Sequence, residues 1–208
     1  MLGTIIVLNG PSGSGKSSLA KALQAQLPEP YMHIGLDNFE QMQPLRNGRR
    51  VQVFYGLRGD DPNDPASWGP DCLHIMHQCV AMFAGAGANV IAETIFLGPK
   101  WLKDAMQRWS PYRVVFVGIE SPLAVLQVRE QERNEREKLA GGTGQSVRQL
   151  ADLAPFNALK PYDLVIDTSV HSQDESAALI RQHLATARPA GAWHRLRAAP
   201  FMDDRDHW

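Results

Sequence analysis

The 208 residues carry 21 Lys and Arg against 22 Asp and Glu, a formal net charge of −1. This length fits one domain that buries its own core without disulfides or metals, and this charge balance lacks the basic face that nucleic-acid binding needs, so no nucleic-acid partner is expected. The two cysteines, Cys72 and Cys79, stand seven apart in a helical stretch, about 10 Å along its axis and too far to join, which suits reduced thiols in a cytoplasmic protein. The opening MLGTIIVLNG has neither a basic n-region nor a small-residue cleavage site, and no apolar run approaches the ~18 residues of a membrane span, so no membrane partner is expected either.

Apolar runs alternate with helix-length amphipathic segments along the whole chain, the pattern of an α/β fold in which helices cover a parallel sheet. TIIVLN (4–9) reads as a buried central strand, because Ile5, Ile6, Val7 and Leu8 are continuous rather than alternating. A helix over 15–27 stops at Pro28, YMHIGL (31–36) is the second strand, a helix over 69–87 ends in glycines, and NVIAETIF (89–96) is the third strand. Next come a helix at 101–109, the strand YRVVFVGI (112–119), and a helix over 121–139 with Ser121 as N-cap and Pro122 at its first position. LVIDT (164–168) is the fifth strand, and an amphipathic helix over 174–187 closes a single domain predicted to span 1–187. Residues 188–208 are predicted to be a loose tail from which Trp193, Phe201 and Trp208 could dock. The long irregular stretch 44–68, rich in Arg, Asp, Gly and Pro, has the length of a functional lid or a disordered loop, with VQVFYG as a short strand inside it.

GPSGSGKS, from Gly10 through Pro11, Ser12, Gly13, Ser14, Gly15 and Lys16 to Ser17, matches G-x-x-x-x-G-K-[ST] in full, after an apolar strand and at the start of a helix. Glycines let the backbone curl so that successive N–H groups face phosphate oxygens, and the helix N-terminus adds roughly half a positive charge. Lys16 is then expected on the β- and γ-phosphates, Ser17 on Mg²⁺, and Ser18 beside them in the first helical turn. The cradle predicts ATP with Mg²⁺ but does not choose between hydrolysis and phosphoryl transfer.

That choice depends on what faces the γ-phosphate. Asp37 follows the second strand and Glu93 ends the third, and in an open parallel sheet those carboxyl ends border the ligand crevice. Asp37 is the candidate general base for an acceptor hydroxyl, against the alternative of a helix cap for NFEQMQ. Glu93 is a candidate for Mg²⁺ or for substrate, and Thr94 beside it is a weaker substrate candidate, since a strand Thr is ordinary. Asp167 reads as a loop-forming residue near the adenine.

In REQERNER (129–136) the residues Arg129, Arg133 and Arg136 share about 60° of one helix face. Salt bridges of Glu132 with Arg136 and Arg133 with Glu137 would contribute only ~0.3 to 0.5 kcal/mol each and leave Arg129 over Arg133 unexplained. A stripe that closes over a triphosphate accounts for it, with Arg129 and Arg133 on the same phosphates and Arg133 and Arg136 acting in catalysis. The GGTG at 141–144 is a natural hinge, which makes 129–144 an arginine lid.

With these residues in hand the chain resembles the chloramphenicol phosphotransferase-like family of small P-loop kinases. The resemblance runs over about 4–185 and includes LNG before the glycines, LPEP at 27–30, GLD at 35–37, MQPL at 42–45, FLG at 96–98 and R-E-x-x-R-x-x-R at 129–136. It implies a P-loop NTPase fold of the nucleotide and shikimate kinase type, three layers around a five-stranded parallel sheet. It further implies ATP as phosphate donor, an antibiotic hydroxyl as acceptor, Asp37 as base, Lys16 and Ser17 on phosphate and Mg²⁺, and the three arginines as lid contacts. The chain departs from the family pattern at Glu93-Thr94, where paired acidic residues stand in the family's named member. It departs again in the 44–68 insertion over the acceptor side, which carries Arg46, Arg49, Arg50 and Arg58. The expected function is ATP-dependent phosphorylation of a small-molecule hydroxyl. A toxin-like kinase of a nucleotide sugar, and an ATPase or nucleotide-binding regulator without an acceptor, stand as alternatives.

Overall fold

The computed structural model describes residues 1–42, 45–46, 49–50, 72–96, 99–139, 162–186 and 191–198. The apolar run TIIVLN forms β1 (Thr4–Asn9), and Ile5, Ile6, Val7 and Leu8 are all wholly buried. A strand buried on both faces must be central in a sheet that helices cover on both sides, and β1 is the middle of five. The order is β2 (Tyr31–Gly35), β5 (Asn89–Thr94), β1, β6 (Arg113–Glu120) and β7 (Leu164–Asp167), every pair parallel. Inside the expected insertion, β3 (Leu45–Arg46) pairs antiparallel with β4 (Arg49–Arg50) as a separate two-stranded sheet.

Alternate residues of each strand feed opposite cores. On one face Ile5, Val7, Val90, Ala92 and Phe116 meet side chains of α3 (Cys72–Gly85) and α4 (Pro99–Trp109). On the other, Ile6, Leu8, Ile91 and Val117 meet Leu19, Ala20 and Leu23 of α1 (Lys16–Gln26) and Ala177 and Ile180 of α6 (Gln173–Thr186). The result is the three-layer α/β/α arrangement that the alternating pattern predicts. The strand order reverses at β1, with β2 and β5 on one side and β6 and β7 on the other, so the crevice at the carboxyl ends of the strands opens where β1 runs into Gly10.

Several boundaries move for identifiable reasons. The second strand stops at Gly35, because Leu36 already opens α2 (Leu36–Gln41), whose first turn is closed by Asn38 Oδ1 accepting the Gly35 N–H at 2.9 Å. The third strand stops at Thr94, where the Phe96 N–H turns to Asn9 Oδ1 at 3.0 Å. The helix after β6 is α5 (Leu123–Leu139), and Ser121 is not its N-cap. The Pro122 carbonyl takes the first turn's N–H groups of Val125 and Leu126, while the Ser121 hydroxyl is engaged by Thr168 at 2.8 Å. The expected strand VQVFYG, the rest of the 44–68 stretch, the 141–144 hinge, the Glu137 side chain, Phe201 and Trp208 lie outside the described residues.

Of the three tail aromatics offered for docking, Trp193 docks, and the chain around it is helical rather than loose. Residues 192–198 form α7 (Ala192–Ala198), and Trp193 is wholly buried, stacked on Trp109 at 5.6 Å between ring centroids and edge-on to Phe116 at 5.2 Å. Asp163 holds the helix in place, one carboxylate oxygen accepting the Phe116 N–H of β6 at 2.8 Å and the other accepting the Ala192 N–H at the helix start. The sequence offers Trp193 for docking but not its partner, because the partner ring comes from α4. Trp193→Ala is expected to lower stability by about 3–5 kcal/mol in denaturant unfolding, with Trp193→Phe losing clearly less; an unchanged midpoint for the alanine variant would show that α7 contributes nothing to the core.

Candidate active site

Gly13 and Gly15 have φ of 77° and 87°, a backbone region costly to any residue with a Cβ, and Gly15 leads directly into α1. The loop therefore curls around the α1 N-terminus as the motif requires. Ser14 is wholly buried, and its hydroxyl has no partner among the described residues. Lys16 is held over the loop by donating to the Pro11 carbonyl at 2.8 Å, which leaves its ammonium next to the N–H groups that an anion would meet. Ser12 and Gly13 are half-buried, while Ser17 and Ser18 are exposed in the first turn of α1.

Glu93 reaches into this crevice from β5. Its Oε1 accepts the Ser17 hydroxyl at 2.8 Å, and its Oε2 lies 3.1 Å from His33 Nε2 on β2. Burial alone would raise the Glu93 carboxyl, but the His33 and Ser17 hydrogen bonds and the nearby Lys16 charge outweigh it and hold the group below the usual carboxylate range. An ionised carboxylate and a serine hydroxyl at hydrogen-bond distance make a pair of hard oxygen donors that fits Mg²⁺, and the bare, positively polarised turn beside them fits the phosphates of a nucleotide. Thr94 is not brought together with Glu93, since neighbouring strand residues point to opposite faces. Its hydroxyl is buried without a partner among the described residues, with Thr94 1% exposed. Asp37 stands exposed in the first turn of α2, at the carboxyl end of β2. Asp167 is the loop former it was read to be, accepting the Ser169 N–H and hydroxyl at 2.8 and 2.6 Å.

The arginine stripe divides. Arg129 donates to Thr168 Oγ1 at 3.0 Å, to the Thr168 carbonyl at 2.7 Å, to Ser121 Oγ at 3.2 Å and to the Gly13 carbonyl at 3.5 Å. Thr168 Oγ1 in turn donates to the Ser14 carbonyl at 2.8 Å, and having one proton it must accept from Ser121. Arg133 instead reaches Ser12 Oγ at 3.4 Å and pairs with Glu130, and Arg136 is exposed, donating to the Glu132 carbonyl at 3.3 Å rather than to its carboxylate. Without a nucleotide the two arginines meet different protein partners: Arg129 ties the backbone of the loop to the turn after β7, whose Thr168 offers a hydroxyl and a carbonyl to its planar fork.

Four contributors escaped the sequence reading. His33 and Thr168 are set by strand register and by the β7 turn. Gln173 lays its Nε2 3.1 Å from where a Cβ on Gly15 would stand, and its buried Oε1 has no partner among the described residues. Asn9, wholly buried, bridges the Phe96 N–H and the Tyr162 hydroxyl, the latter at 2.9 Å, where burial pushes the Tyr162 phenol up to about 12. Only Asn9 left a signal, a polar residue closing an otherwise apolar central strand.

Comparison with known proteins follows the same line. Two Mycobacterium tuberculosis sequences, from two strains and both named "Putative O-phosphotransferase", are 30% identical over 206 residues, covering 94% of this chain and 88% of each relative. Among solved structures, a sugar kinase from a Janibacter species superposes with a TM-score of 0.60 at 20% identity, covering 90% of this chain and 97% of its own. The Mycobacterium tuberculosis APS kinase CysC, solved with AMPPNP and APS, superposes with a TM-score of 0.58 at 20% identity, covering 88% and 98%. At that identity both speak for the P-loop kinase fold alone. A family model described as chloramphenicol phosphotransferase-like protein matches residues 3–185, and the chain belongs to that family of P-loop phosphotransferases.

Proposed function

We propose that the chain transfers the γ-phosphate of ATP to a hydroxyl of a small molecule, with Mg²⁺ as cofactor. The observation that carries the reading is the Ser17–Glu93 hydrogen bond of 2.8 Å, which joins the end of the phosphate loop to the end of β5. Ser17 and Glu93 would hold the metal, directly or through water. A Mg²⁺ ion held there would neutralise phosphate charge during transfer. Gly10 to Ser17 would bind the phosphates through backbone N–H groups, and Lys16 would exchange the Pro11 carbonyl for a phosphate oxygen. Arg133, on the face of α5 toward Ser12, would follow the charge that spreads over the transferred group.

Asp37 takes the proton of the acceptor hydroxyl as its oxygen attacks phosphorus and the bond to the β-phosphate oxygen breaks. The support is its exposed position in the first turn of α2, just past the carboxyl end of β2 and at the same end of the sheet as Glu93. The acceptor would enter beside α2, and Thr94, its side chain on the α3 and α4 face, would contribute to that side if its buried hydroxyl is uncovered on closure. No helix among the described residues is long and apolar enough to cross a membrane.

Incubating the chain with ATP, Mg²⁺ and a panel of hydroxylated compounds, chloramphenicol and nucleotide sugars among them, should yield a phosphorylated product by mass spectrometry. ATP consumption that no compound stimulates would instead favour an ATPase. Asp37→Asn should keep ATP affinity while transfer falls about 10² to 10⁴-fold, and unchanged turnover would remove Asp37 from the chemistry. Among the arginines, Arg129→Ala should raise KM for ATP and lower the melting temperature, Arg133→Ala should act mainly on kcat, and Arg136→Ala should be the mildest; steady-state kinetics with equal losses at all three would contradict this division.

A further inference from the structure

We infer that His33 is a positioning residue for the metal–nucleotide site, acting through Glu93; the inference rests on the proposed phosphotransferase reading. A carboxylate on a strand end can turn about its side-chain torsions, and a metal ligand that turns binds poorly. In this chain the two oxygens of Glu93 have separate partners on separate elements, Ser17 of α1 on Oε1 at 2.8 Å and His33 of β2 on Oε2 at 3.1 Å. The arrangement is enclosed, with the His33 and Glu93 side chains 18% and 14% exposed.

Register explains how the pair meets. Gly35 is the β2 partner of Glu93 across the parallel ladder, and His33 pairs with Ile91, two residues earlier. His33 therefore shares a face with Glu93 and stands one diagonal away, within reach of a ring. Gly35 leaves the approach open, since a Cβ there would come within 3.3 Å of Glu93 Oε2 and 3.5 Å of Asn38 Oδ1. Against a carboxylate oxygen, which accepts, the ring nitrogen Nε2 is assigned as the donor of this 3.1 Å contact. His33 thus locks one oxygen and presents the other to Ser17, which is how a partner behind a ligating carboxylate raises metal affinity. Without the ring, Oε2 loses the hydrogen bond from β2 that fixes the carboxylate's rotation while Oε1 holds Ser17.

The test measures metal binding apart from turnover. Mn²⁺ as the probe is titrated into the full-length chain with a non-hydrolysable ATP analogue and followed by electron paramagnetic resonance, alongside analogue binding without metal and thermal unfolding. His33→Leu should weaken Mn²⁺ binding about 10 to 100-fold while metal-free analogue binding changes by less than about twofold, and His33→Gln, whose amide can donate from the Nε2 position, should recover most of the loss. Unchanged Mn²⁺ affinity in folded His33→Leu overturns the inference. So does a folded His33→Gln as weak as the leucine variant, a comparison that holds even if leucine prevents folding. A wild-type chain whose analogue binding gains nothing from Mn²⁺ overturns the phosphotransferase reading and His33's part with it, whereas a wild-type gain with no loss in His33→Leu overturns the His33 inference alone.

Discussion

A phosphate cradle made of backbone N–H groups works only if the backbone is held open while no side chain enters it, and the rest of this structure is arranged around that requirement. An unliganded glycine-rich turn is intrinsically costly to order, since glycine loses more backbone freedom than any other residue. Here the turn is gripped on three sides. β1 anchors its start from the most buried strand of the sheet. Thr168 and Arg129 hold the Ser14 and Gly13 carbonyls from the β7 side. Glu93 takes the Ser17 hydroxyl from the β5 side. The Gly13 and Ser14 carbonyls are thereby occupied outward, while the Pro11 carbonyl takes the Lys16 ammonium at 2.8 Å and the Ser14 N–H at 3.3 Å, bonds that a phosphate oxygen would replace.

Charge is distributed on the same logic. Lys16 and Arg133 are cations at the mouth of the cradle, each resting on a neutral or acidic neighbour of its own chain, the Pro11 carbonyl and Glu130. Glu130 places a second, buried oxygen without a partner among the described residues close to Gly13, an uncompensated acceptor beside an anion site. Such a placement is unfavourable on its own and is relieved only while Arg133 stays near. Arg129 stands apart from this traffic. Its donors are committed to four protein acceptors that brace the loop, whereas Arg133 lies beside Ser12 and Glu130 at the mouth.

What could be read from the chain and what could not separate along one physical line. Continuous apolar strands, the phosphate-loop spacing and the alternation of strand and helix are local patterns, and the five-stranded parallel sheet follows from them. Contacts that depend on register between distant strands were invisible. His33 meets Glu93 across 60 residues of sequence, and Thr168 meets Ser14 across 154. Ser121 carries a proper cap residue type in a proper place, yet a tertiary acceptor outcompetes the helix end for its hydroxyl. Trp193 could be named as a docking residue but not given a site, because its partners Trp109 and Phe116 come from α4 and β6. The arginine stripe was visible as a stripe, but helix periodicity places side chains on a face without saying which acceptors wait there.

The central claim is that the loop, Ser17 and Glu93 form one preassembled metal–nucleotide site, and a crystal structure with a non-hydrolysable ATP analogue and Mg²⁺ tests it most directly. It should show the phosphates on the N–H groups of Gly13 to Ser17 and the metal about 2.1 Å from Ser17 Oγ, with Glu93 on the ion or one water away and still bonded to His33. Phosphates bound elsewhere, or a metal remote from both Ser17 and Glu93, would contradict it.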